Sequence, residues 1–237
     1  MKISLIVPAY NEEKYIGNCL SSIEKYGKDL FEVIVINSAS TDNTSKIIEA
    51  FPNIRLINET KKGLPFARNR GLSEARGDIV AFVDADTMIK KGWVDRIKKE
   101  FERDKKLACI SGPYVYYDFS LILKLLTWFV YTFIAYPAYF FVGYMATMGN
   151  FAARKSLMND VGGFNNNIIF HGDDTDISRK LHRIGKTKFS LSFYLPSSAR
   201  RLKGEGYIKT IYQYFMNFLC IVFKNKPPKN GDYTEIR

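Results

Sequence analysis

The sequence predicts an α/β protein: a Rossmann-like, mostly parallel sheet with helices on both faces. Three observations carry that expectation. Over roughly the first hundred residues, short β-branched runs alternate with segments of helical period. The fourth such run, Ile79–Val83, is apolar at every position, as a strand buried on both faces must be. A chain of 237 residues with 46% hydrophobic content is long enough for one large core and too short for two catalytic domains.

The elements follow in order. Ile3–Val7 is an apolar strand ended by Pro8. Asn11–Tyr26 carries Tyr15, Ile16, Cys19, Leu20 and Ile23 at helical spacing. Phe31–Ile36 is a second strand, and Thr41-Asp42 supplies capping residues for a helix over Asp42–Ala50. Ile54–Ile57 is a third strand, Leu64–Ala75 a helix closed by Gly77, and Ile79–Val83 the fourth strand. Ligands of such sheets bind beyond the carboxyl ends of the strands. The segments Pro8–Glu12, Asn37–Ser40 and Asp84–Asp86 are therefore the places to look for chemistry.

Composition narrows the class. With 18 Phe and 15 Tyr the chain has enough apolar surface to offset its conformational entropy, which excludes disorder. A mean hydropathy of −0.16, with one long apolar stretch, excludes a polytopic membrane protein. The balance of 35 Lys+Arg against 24 Asp+Glu gives +11 and points to anionic partners. Cys19, Cys109 and Cys220 are far apart and odd in number, so they read as buried thiols of a reducing compartment. Met1 leads straight into a strand with no signal-like apolar region, which implies a cytosolic start.

Asp84-Ala85-Asp86 ends a buried strand, so two carboxylates emerge at the ligand edge of the sheet. Hard divalent cations take carboxylates together with substrate phosphates; a solvated turn is the plainer alternative. Asp173, Asp174 and Asp176 lead into a helix start. They serve as macrodipole partners, or as crowded carboxylates in which one becomes a general base. His171 beside them is either a ligand or a packing residue. Arg68 and Arg70 stand near another helix start, one suited to a phosphate fork and the other to solvating the helix. Neither a Gly-x-Gly-x-x-Gly turn after the first strand nor a P-loop is present, which weakens dehydrogenase and P-loop readings.

Taken together, six motifs are similar to those of family 2 glycosyltransferases. They are Val7-Pro8-Ala9-Tyr10-Asn11-Glu12-Glu13, Ser40-Thr41-Asp42-Asn43-Thr44, Ala67-Arg68-Asn69-x-Gly71, Phe82-Val83-Asp84-Ala85-Asp86, Gly149-Asn150-Phe151-Ala152-x-Arg154, and Gly162-Gly163-Phe164 followed by Asp173-Asp174-x-Asp176. The resemblance spans roughly residues 3–190 and implies a GT-A fold, a nucleotide-sugar donor, Mg²⁺ or Mn²⁺, and inversion at the anomeric carbon. Position by position, it implies that Pro8, Ala9, Tyr10 and Glu12 line the nucleoside pocket, with Arg68 among the donor-binding residues. It further implies that Asp84 faces the ribose or the metal, that Asp86 binds the metal, and that Asp174 is the base. Asn37 stands where the family usually has an Asp that reads the nucleotide base, which leaves base identity open: a UDP-sugar first, a GDP-sugar second. The Gln-x-x-Arg-Trp motif of processive synthases is absent.

Leu121–Met148 is a run of 28 residues whose one charge is Lys124. A single membrane crossing conflicts with the chemistry, because Asp86 precedes the run, Asp174 follows it, and both must meet. The run is therefore expected to enter and leave on one face as a hairpin broken at Pro137, contacting a membrane, or else to be a core hairpin or dimer interface. With Tyr207–Phe223 it would form an apolar surface rimmed by Lys124, Arg200, Arg201, Lys203 and Lys224, beside Lys226 and Lys229. The expected organisation is a nucleotide-sugar half (1–118), an apolar insertion (119–148), an acceptor half (149–199) and a basic, aromatic C-terminal helix (200–237). The expected function is transfer to a lipid-linked or membrane-proximal, cell-envelope acceptor at the cytoplasmic face of the membrane. The enzyme would be peripheral or monotopic, with no nucleic-acid partner and with homo-oligomerisation open. The alternatives are an inactive lipid- or protein-binding relative and a sugar nucleotidyltransferase, the latter disfavoured by the missing Gly-rich phosphate loop.

Overall fold

The computed structural model describes residues 1–168 and 172–224. His171, Lys226, Lys229 and the side chain of Lys224 lie outside the described residues.

The apolar runs form β1 (Ile3–Ala9), β2 (Glu32–Asn37), β3 (Arg55–Asn58) and β4 (Ile79–Phe82), mutually parallel as expected. Three further strands, β5 (Leu107–Ser111), β7 (Phe151–Arg154) and β8 (Lys186–Phe189), extend the sheet to the order β3-β2-β1-β4-β7-β5-β8. Strand β7 is antiparallel to both neighbours. Its start therefore lies beside the ends of β4 and β5, as the pairings Phe82↔Phe151 and Ser111↔Phe151 show. The carboxyl ends of the parallel strands and the turn before β7 thus share one edge.

Side-chain alternation divides the core between the two faces. Leu5, Val7, Ala81 and Val83 pack with α1 (Ile16–Tyr26) and α4 (Trp93–Arg103). Ile6, Ile34, Ile36 and Phe82 pack with α3 (Leu64–Glu74), α7 (Lys155–Asp160) and α8 (Asp173–His182). A Cβ on Gly71 would strike Ile6 and Ile36, so that position of the Ala-Arg-Asn-x-Gly motif is what lets α3 lie on β1. Cys19 and Cys109 are buried and Cys220 is half-buried, and burial pushes the Cys19 and Cys109 thiols far above their ordinary range.

The apolar run corrects the expected hairpin. Leu121–Val142 is one continuous helix: α5 (Leu121–Val130), a π-turn over Tyr131–Ala135, and α6 (Tyr136–Val142). Pro137 does not break it, because the π-turn shifts the ladder just ahead of the ring, with Tyr136 N–H donating to the Tyr131 carbonyl five residues back. The helix ends at Gly143, whose φ of 80° supplies the left-handed cap and whose N–H donates to the Tyr139 carbonyl at 2.7 Å. At 1.5 Å per residue such a helix is about 33 Å long, and it lies along the edge strand β8 instead of leaving the domain. Tyr139 Oη donates to the Thr187 carbonyl at 3.1 Å, and Tyr131 stacks on Phe189 with ring centroids 6.4 Å apart. The excursion leaves and returns at one point, where Thr147 N–H donates to Ser111 Oγ at 2.8 Å. Both ends of the run therefore meet at one edge of the sheet, without a hairpin.

A small second sheet pairs β6 (Tyr114–Tyr116) with β9 (Leu195–Ser197). It hands the chain to α9 (Arg200–Glu205) and, after a turn at Gly206, to α10 (Tyr207–Lys224).

Candidate active site

A cleft of about 1100 Å³ opens at the carboxyl edge of the sheet. Of the site residues read from sequence, Pro8, Ala9, Tyr10, Glu12, Arg68, Asp84, Asp86 and Asp174 all line it. Asn37 does not. Its side-chain amide donates to Ser45 Oγ at 2.7 Å and Asn58 Oδ1 at 3.0 Å, and its carbonyl oxygen accepts the Ser40 N–H at 3.2 Å. Asn37 thereby braces the loop whose Ser38 does reach the cleft.

The end of the cleft beside β1 and β4 is a charge lattice. Asp84 and Asp86 follow directly on β4, where the sheet stops and carboxylates regain space. Asp84 Oδ1 accepts from Arg68 Nη2 at 3.1 Å and Oδ2 from the Tyr114 hydroxyl at 3.0 Å. A Cβ on Gly149 would collide with both the Asp84 carboxylate and Tyr114 Oη, which is the physical reason for glycine in Gly149-Asn150-Phe151. Arg68, only 3% exposed at its side chain, also ion-pairs with Asp173 at the start of α8. Arg70 instead pairs with Glu74 on the helix surface at 3.0 Å, so the two arginines divide the roles the sequence left open. Asn69, beside Arg68, clamps the Gly162-Gly163-Phe164 turn: its Oδ1 accepts the Phe164 N–H at 2.9 Å and its Nδ2 donates to the Phe164 carbonyl at 2.8 Å.

Asp86 faces Arg200, whose Nε lies 2.9 Å from Asp86 Oδ2 and whose Nη2 donates to Glu12 Oε1 at 2.6 Å. The guanidinium also covers the Tyr15 ring at 4.6 Å. This corrects the expected membrane rim: Arg200 turns into the cleft, and Arg201 lines it too. Sequence reasoning assigned neither to the site. The available signal was a pair of adjacent arginines just beyond a strand end, next to a site built of carboxylates. Burial, with the negative charges of Asp84 and Glu12, raises Asp86 to about 7, against the opposing pull of Arg200.

The three acidic residues of α8 separate in function. Asp176 is buried and satisfied by Arg179 at 3.2 Å and Lys180 at 2.9 Å on its own helix. Asp173 is taken by Arg68. Asp174 faces the cleft, its Oδ1 accepting the Thr175 N–H at 2.8 Å. Burial first, then the charge of Asp173, lifts the Asp174 carboxyl to about 7, with Thr175 and Arg68 opposing. A carboxylate poised near neutrality is suited to general-base work.

Among the described residues, no group of three or more His, Cys, Asp or Glu forms a ready-made metal cage. The donor set nevertheless fits a hard divalent cation that completes its shell with substrate: Asp84 and Asp86 both turn carboxylates to the cleft, with Glu12 adding negative charge.

Residues 4–162 match the model of the family described as glycosyl transferase family 2. The chain belongs to that family. It is 32% identical over 123 residues to the glycosyltransferase GlyG of Streptococcus pneumoniae, covering 50% of this chain and 40% of that protein. It is 44% identical over 98 residues to the poly(ribitol-phosphate) beta-N-acetylglucosaminyltransferase TarS of Staphylococcus aureus, covering 38% of this chain and 17% of that one. The chain thus matches less than half the length of these curated relatives.

Solved structures agree in fold. A mannosyltransferase from Pyrobaculum calidifontis, in complex with GDP-Man and Mn²⁺, superposes with a TM-score of 0.73 at 21% identity, over 96% of this chain and 66% of that one. TarS in complex with UDP-GlcNAc does so with a TM-score of 0.57 at 23% identity, over 80% of this chain and 56% of that one. The mixed, mostly parallel seven-stranded sheet of this family 2 chain is of the GT-A kind. The family match ends at residue 162, short of Asp173, Asp174, Arg200 and Arg201.

Proposed function

We propose that this chain is an inverting glycosyltransferase that moves a sugar from a nucleotide-sugar to an acceptor hydroxyl at a membrane surface. One observation carries the reading: Glu12, Asp84 and Asp86 from the strand ends of the first half, and Asp174 from α8, line a single cleft. In this reading Pro8, Ala9 and Tyr10 bound the nucleoside pocket, and Asp84 and Asp86 hold Mg²⁺ or Mn²⁺. The cation supplies charge stabilisation to the departing diphosphate. Asp174 accepts the proton of the acceptor hydroxyl as that oxygen bonds to the anomeric carbon, and the bond from that carbon to the diphosphate oxygen breaks with inversion. Arg68 keeps Asp173 paired, so that the carboxylate presented to the acceptor is Asp174.

Location follows from Leu121–Val142, which is long and apolar enough to cross a membrane yet has none of its most apolar window buried. Leu125, Phe129, Phe133 and Phe140 project outward on one stripe, and Phe141 is 91% exposed. A helix that is apolar all round belongs in an apolar medium. Since it lies flat along β8, that medium touches it from the side, which supports a peripheral or monotopic enzyme on the cytoplasmic leaflet.

The test is a screen of UDP- and GDP-sugars for cation-dependent turnover and binding. Wild type should bind nucleoside diphosphate more tightly with Mn²⁺ than without, and Asp86→Ala should lose that difference. Equal binding with and without cation in wild type would remove the metal assignment. Binding without turnover on every donor and acceptor would leave a non-catalytic relative.

A further inference from the structure

The cleft extends past Asp174 between two helices, and its walls there change character. One wall is the long helix, with Val130, Ile134 and Ala138 at four-residue spacing on one stripe. The opposite wall is α10, with Ile211, Phe215 and Phe218 again on one stripe. These stripes are distinct from the outward stripe of Phe129, Phe133 and Phe140, which the cleft does not include. The helix thus carries two apolar faces, one toward bulk and one toward the reacting groups.

We propose that this inter-helical groove binds the aliphatic chain of the acceptor, a hydroxyl-bearing amphiphile whose head reaches Asp174. The inference rests on the glycosyltransferase reading and names the acceptor class for the same site. Thr127, Tyr131 and Tyr214 add hydroxyls that suit a polar head, but a free glycan would set further hydroxyls against Val130, Ile134, Ile211, Phe215 and Phe218, which return no hydrogen bonds. An aliphatic chain gains on burial there. The groove is continuous with the carboxylates at one end. At its outer edge it meets residues exposed on the membrane-facing side, with Ile208 on α10 84% exposed, so a chain can enter sideways from a lipid phase while its head stays at the cleft.

The test uses the full chain with UDP and Mn²⁺ present, and hexyl, heptyl and octyl glucoside below their micellar concentrations as probes, with glucose as the chainless reference. Calorimetry should show affinity rising about fourfold per added methylene, and glucose should not bind measurably. Ala138→Trp fills the groove and should flatten that rise while UDP–Mn²⁺ affinity stays unchanged. Ile211→Ser, a milder change for use if the tryptophan perturbs folding, should reduce the rise by about half. Phe140→Ser, on the outward face, should keep the full chain-length dependence. Affinity independent of chain length in wild type, or an undiminished rise in both groove variants, overturns the groove. Absence of UDP–Mn²⁺ binding in wild type instead overturns the glycosyltransferase reading itself, so the two failures are distinguishable.

Discussion

Replacing Asp174 with Asn should make the protein more stable and inactive at the same time. Asn keeps the shape and the Oδ1 acceptor that receives the Thr175 N–H at 2.8 Å, so the change removes charge and little else. Burial and the neighbouring Asp173 charge raise the carboxyl from an ordinary 3.8 to about 7. A carboxyl raised on folding holds its proton more tightly in the folded state. Its ionisation therefore opposes folding increasingly from about pH 4 to pH 7, and the opposition is constant above that. At 1.36 kcal/mol per pH unit the full effect is about 4 kcal/mol. Because the surroundings also relax around the new amide, a gain of about 2–4 kcal/mol at pH 8 is expected, shrinking toward zero at pH 4. Urea unfolding of both proteins at pH 4, 6 and 8 reads this directly as a shift in midpoint at constant slope. Transfer should fall by about 10²–10⁴-fold, and the wild-type kcat/KM profile should show an acidic limb near pH 7. Equal or lower stability of the variant at pH 8 would refute the account of why Asp174 is basic.

Three other outcomes follow from the same geometry. Arg200→Met leaves Asp86 and Glu12, 13% and 5% exposed at their side chains, without their shared cation; it should cost about 3 kcal/mol, a fall of roughly 6–12 °C in Tm by calorimetry. Gly149→Ala drives a methyl group into the Asp84 carboxylate and Tyr114 hydroxyl, and Mn²⁺-dependent UDP affinity should drop about 10–100-fold while unfolding stays cooperative. Converting Phe129, Phe133 and Phe140 to Ser should release the protein from anionic vesicles in flotation while leaving UDP–Mn²⁺ binding intact; loss of folding would show the outward stripe to be core instead.

The donor half was legible because its signals are local. Ile3–Val7 and Ile79–Val83 announce buried parallel strands by composition alone, and a parallel sheet dictates that Glu12, Asp84 and Asp86 gather at one edge. Asp174 was reachable because three carboxylates in four positions exceed what a helix start uses. Arg200 was not, since its partners Glu12 and Asp86 are more than a hundred residues away and only the β6–β9 pairing brings it over the cleft. The missing break at Pro137 has a different cause. A proline forbids one hydrogen bond, but whether the chain kinks or inserts a π-turn depends on what lies alongside, here β8 and its Phe189. Asn37 shows a third case: a polar residue at a strand end is available to ligand only if Ser45 and Asn58 have not already claimed it.

The stitch between Ser111 and Thr147 bears on how this enzyme diversifies. Residues 112–150, including the long helix, depart from and rejoin two adjacent strands whose registers are set by Ser111↔Phe151 and Cys109↔Ala153. Their closure is sealed by Thr147 and by Asn150, whose side chain also accepts the Trp93 indole N–H at 3.0 Å. Lengthening such a loop costs little, about 0.6 kcal/mol per doubling. The excursion is therefore a cassette: its length and its exposed face can change while Glu12, Asp84 and Asp86 stay where β1 and β4 put them, as long as Tyr114 and Gly149 remain against Asp84. A chimera joined at Ser111 and Thr147 that retains Tyr114 can therefore replace the long helix without moving the carboxylates at the strand ends.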